Sequence, residues 1–143
     1  MRLVLDTNVW IDWLVFDDPS VAPLKAARRE GRIQIVIAEA CLQELKAVLA
    51  YPEFRLDDAQ KMNHLAEVDR CTMRHDDQRP ARSIALPRCS DPDDQRFLEL
   101  ARDAQADWLI TKDKALLHIR GRKLEAAGFQ IGTPPQWAAS LVN

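Results

Sequence analysis

Apolar and polar positions along this chain switch repeatedly between a period near two and a period near 3.6. Arg2–Leu5 is a short apolar run that stops at Asp6, the pattern of a buried strand. Asn8–Phe16 is too apolar for a loop and predicts one or two helical turns. Asp17-Asp18-Pro19-Ser20 interrupts them, and Ser20 is placed to cap a helix over Val21–Glu30 that Gly31 ends. Ile33, Ile35 and Ile37 alternate as a second strand. Glu39–Ala50 returns to helical spacing through Cys41, Leu42, Leu45, Val48 and Leu49, and Pro52 closes it. Asp57–Arg70 is another amphipathic helix, with Asp57 as its cap. His75–Ser90, where Pro80 and Pro87 flank Ser83–Leu86, reads as a long loop or as a short edge strand between two loops. Asp91-Pro92-Asp93-Asp94 opens a helix that runs as far as Gln105, and Asp107–Thr111 is a third clear strand. Lys114–Leu117 is a helical turn, Gly128 ends a further short helix, Phe129–Ile131 is a last strand, and Thr133-Pro134-Pro135 starts a terminal helix through Leu141. Strands alternating with helices predict an α/β fold: a parallel sheet with helices on both faces.

The length, 143 residues, corresponds to one domain, residues 1–143. With 47% hydrophobic and 29% charged residues the chain is ordinary for a globular protein, which excludes disordered, collagen-like and disulfide-stapled classes. Twenty basic against 22 acidic residues leave a net charge of −2, so nucleic-acid binding would have to rest on local patches. None of the 4 glycines stand at phosphate-loop spacing. Cys41, Cys71 and Cys89 are an odd set without paired spacing and fit a reducing compartment. No apolar run approaches the ~18 residues of a membrane span. Leu3-Val4-Leu5 meets Asp6 too early for a signal-peptide core, so a cytoplasmic location is expected.

Four acids stand where a surface charge has little reason to be. Asp6 follows the first strand directly, and Asp113 follows Asp107–Thr111 by two residues. In open parallel sheets ligands bind at the carboxyl ends of strands, although both residues would also serve simply as helix caps. Glu44 lies on the flank of a buried helical stripe, between Cys41 and Val48. Within Asp91-Pro92-Asp93-Asp94, Asp91 suits the N-cap and Pro92 the first helical position. Asp94 heads the stripe Phe97, Leu98 and Ala101, whereas Asp93 faces Arg96 as a dipole partner. Converging carboxylates repel one another and raise their pKa values unless a cation joins them; an all-oxygen site suits Mg²⁺ or Mn²⁺. Such a site can activate water against a phosphodiester.

The run Leu3-Val4-Leu5-Asp6-Thr7-Asn8 resembles the opening of PIN-domain ribonucleases. So do Glu44 in Leu42-Gln43-Glu44-Leu45, the Asp91-Pro92-Asp93-Asp94 helix start and Leu109-Ile110-Thr111-Lys112-Asp113. Their order is similar to the VapC-like branch, the toxins of toxin–antitoxin pairs. That resemblance implies a three-layer α/β/α sandwich with a central, mostly parallel sheet and an RNA-cleaving site holding Mg²⁺ or Mn²⁺. It assigns catalytic and metal-ligand roles to Asp6, Glu44, Asp94 and Asp113, an additional or supporting ligand role to Asp91, and orienting roles to Asn8 and Thr111. An RNA substrate, a cognate antitoxin and a homodimer are the partners it implies. The length of His75–Ser90 departs from the pattern.

Five arginines between Arg70 and Cys89 (Arg70, Arg74, Arg79, Arg82 and Arg88) outnumber Asp76 and Asp77, and Arg120, Arg122 and Lys123 form a second basic cluster. Arg79, Arg82, Arg88 and Lys112 are the expected RNA contacts, against the alternative of ordinary solvated charges. Trp10 and Trp13 share a helical face beside Leu14; packed inside they are core, and exposed they would be the surface a homodimer or antitoxin buries. His64, His75 and His118 lack ligand spacing, and no nucleophile-elbow serine is present. Two other classes compete with a nuclease. An aspartate-nucleophile phosphohydrolase would want a second acid where Asn8 stands, and a non-catalytic PIN-like module binding RNA or protein would have no need of all four acids.

Overall fold

The computed structural model describes residues 1–76, 78 and 81–142. Its five strands are β1 (Arg2–Leu5), β2 (Gln34–Ile37), β3 (Thr72–Arg74), β4 (Trp108–Ile110) and β5 (Gln130–Gly132). They form one sheet in the order β3-β2-β1-β4-β5 with every pairing parallel. Consecutive residues of β1 and β4 are buried alike: Leu3, Val4, Leu5, Leu109 and Ile110 are at most 2% exposed. Burial without alternation means that both faces of the central strands are covered, as a parallel sheet between helical layers requires. Each such aliphatic side chain contributes about 1.5–3 kcal/mol on burial.

The helices are α1 (Thr7–Ile11), α2 (Ala22–Arg29), α3 (Glu39–Leu49), α4 (Asp58–Cys71), α5 (Pro92–Asp103), α6 (Lys114–Leu117), α7 (Arg122–Ala127) and α8 (Pro134–Ser140). A π-helical turn, Asp12–Phe16, prolongs α1. Helix α5 lies against β1 and β4, α3 against α1 and α4, and α8 against β4 and α2. Asp57 caps α4 in a reciprocal capping box with Gln60, and Thr133 does the same for α8 with Gln136. The buried side chains form one continuous cluster, giving the α/β/α sandwich expected from the alternation of elements. No helix among the described residues is long and apolar enough to cross a membrane.

One local expectation is corrected, and two open alternatives are resolved. The turn after Phe16 is capped by Asp18, whose Oδ1 accepts the Ser20 N–H at 2.8 Å; a 3₁₀ turn, Pro19–Val21, then leads into α2, so Ser20 is not the cap. Of the two readings of Ser83–Leu86 the loop holds; the edge strand is Thr72–Arg74, and α4 runs into it without any glycine or proline to mark the change. Trp10 and Trp13 are interior, 2% and 6% exposed with ring centroids 5.3 Å apart, which is the core reading of the pair. The described part of 81–90 contains no strand. Side chains of α5 satisfy its backbone instead: Gln95 donates to the Pro87 carbonyl and accepts from the Cys89 N–H, while Arg102 donates to the Ile84 carbonyl.

Candidate functional site

In this strand order the connection from β1 leaves toward β2 while β4 lies on the other side, so the crevice between their carboxyl ends is the sheet's switch point. Asp6 and Thr111 are the first residues beyond those two strands, and the Asp6 N–H donates to the Ile110 carbonyl at 2.9 Å. Asp6 Oδ1 accepts the Thr7 N–H at 2.7 Å and Oδ2 accepts the Thr111 hydroxyl at 2.6 Å. The Thr111 Oγ1 accepts in turn from the Asp113 N–H at 3.0 Å, and Asp113 Oδ1 caps α6 through the Ala115 N–H at 2.8 Å. Asp6 and Asp113 therefore do cap helices, and in doing so they are held in place beside one another.

Asp94, in the first turn of α5, completes the group. One carboxylate oxygen from each of Asp6, Asp94 and Asp113 lies within 4.8 Å of the other two. Asp94 is 8% exposed, and its Oδ2 is buried without a hydrogen-bond partner. Burial pushes the Asp94 carboxyl up to about 7, helped by the hydrogen bond and charge of Asp113 and by the charges of Asp6 and Asp91. Burial also raises Asp6, against the lowering effect of the Thr111 hydroxyl and the Thr7 N–H. The chain thus assembles buried negative charge without compensating it, an arrangement that costs stability until a cation joins it. An unpartnered buried oxygen, three converging carboxylates and a donor set of oxygen alone fit a hard divalent ion.

Glu44 flanks this group. It is half-buried on α3, accepts the Thr7 hydroxyl at 2.6 Å through Oε2 and lines the same cavity of about 370 Å³, but lies outside the 4.8 Å cluster. Asp91 is exposed and caps α5 by accepting the Asp93 N–H at 2.9 Å; its carboxylate adds charge near Asp94 and is not among the clustered ligand atoms. Asn8 accepts the Lys112 N–H at 3.3 Å, and Thr111 is fully buried, so both hold the loop after β4. Arg82 is half-buried with its N–H on Asp103, Arg88 is exposed, and Arg79 lies outside the described residues. Arg70 and Arg74 are paired with Glu67 and Glu39.

Asp12 is a site residue that sequence reasoning missed. It is 4% exposed within the π-helical turn, lines the cavity, and pairs with Lys112 Nζ at 2.5 Å. Asn8 and Asp12, one helical turn apart, thus hold Lys112 by its backbone and by its ammonium group. A lone acid inside the apolar run Val9–Phe16 was the available sign. A larger cavity, about 410 Å³, opens among Trp13, Lys25, Arg28 and Glu67, where no group of acids converges; chemistry rather than volume singles out the first.

The model of one family, the PIN domain, matches residues 2–115, a stretch containing all four acids. The chain belongs to the PIN domain family. PIN domains are a nuclease fold that uses divalent metals, and this member carries the acidic cluster such chemistry needs. No curated protein matches the chain. Among solved structures it is similar to the T. brucei RRP44 PIN domain, at 15% identity and a TM-score of 0.46, with 99% of this chain and 80% of that one covered.

Proposed function

We propose that this PIN domain is an endoribonuclease dependent on Mg²⁺ or Mn²⁺ and the toxin of a type II toxin–antitoxin pair. The observation that carries the nuclease reading is the convergence of Asp6, Asp94 and Asp113 from three separate segments, with a buried oxygen of Asp94 left without a partner. These three residues would hold the ion, and Glu44 would complete the ligand set from the flank. A divalent ion in that position supplies electrophilic activation of a phosphodiester and lowers the pKa of an attacking water. Thr111 and Thr7 orient the Asp6 and Glu44 carboxylates, and Lys112, fastened by Asn8 and Asp12, provides a cation at the cavity for RNA phosphate. The toxin role is supported by the order of the four acidic motifs; a cognate antitoxin and a homodimer belong to the same proposal.

Purified protein is expected to cleave single-stranded RNA with Mn²⁺ or Mg²⁺, to stop on chelation, and to lose cleavage in Asp6→Asn. Cleavage that persists in EDTA, or in the variant, contradicts the site. Induced expression should arrest growth, and co-expression of a small adjoining reading frame should relieve the arrest. Growth unaffected by the wild-type protein would remove the toxin role while leaving the nuclease.

A further inference from the structure

Most large exposed apolar side chains of this chain are aliphatic or methionine, and the aromatic ones, Phe16 and Tyr51, are 59% and 49% exposed. Phe54 joins them. Its ring meets Phe16 edge-on with centroids 5.9 Å apart and an interplanar angle of 66°, and lies parallel to Tyr51, within 2°, at 6.4 Å. Phe16 and Phe54 line the cavity that also holds Asp6, Glu44, Asp94 and Asp113, as do Ile11 and Val48. The lining of this cavity thus includes both carboxylates and two aromatic rings.

The rings come from separate segments, each stopped by a left-handed residue. Asp17, at φ 47°, ends the π-helical turn directly after Phe16, and Arg55, at φ 52°, ends the 3₁₀ turn Pro52–Phe54. Non-glycine residues take this conformation at a cost, so both rings sit on turns of defined geometry. Aromatic pairs gain from edge-to-face contact, which keeps Phe16 and Phe54 together while leaving Phe16 largely in water.

We infer that Phe16, Phe54 and Tyr51 form a stacking platform for a nucleobase of single-stranded RNA, next to the phosphodiester presented to the acidic cluster. The inference rests on the ribonuclease reading above and adds how the substrate is held. A chain of net charge −2, with Lys112 the one basic residue lining this cavity among the described residues, gains only part of its grip on RNA from charge. Stacking supplies affinity that does not depend on phosphate contacts and tolerates any base. Flat rings suit a base better than they suit a docking peptide helix, which would need an apolar stripe at i, i+3, i+4 and i+7 to meet a groove.

The test is binding of a fluorescein-labelled single-stranded RNA by the Asp94→Asn protein, with and without Phe16→Ala or Tyr51→Ala. Each alanine should weaken binding about tenfold, the lower part of the range for losing one base stack, without lowering the melting temperature. Phe16→Tyr should restore binding, and an oligonucleotide with abasic riboses should bind weakly and equally to the parent and to Phe16→Ala. Unchanged RNA affinity in both alanine variants, or equal losses on intact and abasic RNA, would overturn the platform. So would a loss of self-association or of peptide binding in Phe16→Ala without any loss of RNA binding. The two readings separate cleanly. Stacking without metal-dependent cleavage by the wild type contradicts the nuclease proposal alone; cleavage that depends on Asp94 and ignores Phe16 contradicts the platform alone.

Discussion

The two ends of α5 carry aspartates whose surroundings shift their carboxyls in opposite directions. At the start of the helix Asp94 faces Asp6 and Asp113 with an unpartnered buried oxygen, and burial together with these neighbours pushes its carboxyl up to about 7. At the end of the helix Asp103 is also partly buried, which by itself would raise its pKa. Hydrogen bonds from the Arg102 guanidinium and the Arg82 N–H, with the charge of Arg102, hold it below the ordinary carboxylate range instead. One helix and one residue type thus give two outcomes, decided by whether the chain supplies a cation. Asp103 is complete within the fold and ties residues 82–84 to α5. Asp94 finds no such partner in the chain, and the proposed metal site rests on that difference.

Exchanging carboxylates at the two ends breaks the comparison most sharply. Asp94→Asn should lower cleavage by more than about 100-fold, beyond what loss of an outer supporting group costs at a metal site, with no fall in the melting temperature of the metal-free protein. Asp103→Ala should do the reverse. Leaving Arg102 and the Arg82 N–H without their acceptor should cost about 1–3 kcal/mol in denaturant unfolding, with cleavage by the folded protein changed little. If both substitutions destabilise alike, the two ends do not differ as described.

Dependence on pH sharpens the same contrast. The folded protein raises Asp94 from 3.8 to about 7, so between these values it holds a proton that the unfolded chain releases. The contribution of Asp94 to metal-free stability is therefore fully present below its unfolded pKa and lost as pH rises through about 7. Asp103, lowered in the folded state, contributes above its unfolded pKa and loses that contribution as acid protonates it. Melting curves of wild type and Asp94→Asn between these pH values should diverge in favour of the variant as pH rises; a constant gap would contradict the assignment. A smaller effect is expected on α3. Glu44→Gln should weaken metal affinity by at least about tenfold, the least that losing even a partner behind the ligands costs, whereas Glu39→Gln, on the exposed side beside Arg74, should leave affinity unchanged.

The fold and much of the site were legible because local rules agreed with the global arrangement. Apolar runs ending at Asp6 and just before Asp113 marked strand ends, and the spacing of Asp94 from Phe97, Leu98 and Ala101 aimed it inward. What escaped was set by partners distant in the chain. Asp12 gains its meaning only from Lys112, across the sheet's switch point. Thr72–Arg74 is a strand because Ile35, Val36 and Ile37 pair with it, not because three residues show a period. Asp91 matched the acidic motif yet faces solvent as a cap, since an N-cap side chain turns back over its own helix end. Trp10 and Trp13 had the spacing of a partner surface, and only packing inside this chain decided that they were core.

Asp6, Asp94 and Asp113 converge in a group that the chain leaves short of positive charge. The direct measurement is the melting temperature of the metal-free protein titrated with Mn²⁺, in wild type and in Asp94→Asn. A ligand that binds only the folded state adds about 2.7 kcal/mol at a hundredfold excess over its Kd. The wild type should therefore melt several degrees higher with Mn²⁺, while Asp94→Asn should start no lower than wild type and gain little. The same rise in both proteins, or none in the wild type, would contradict the claim.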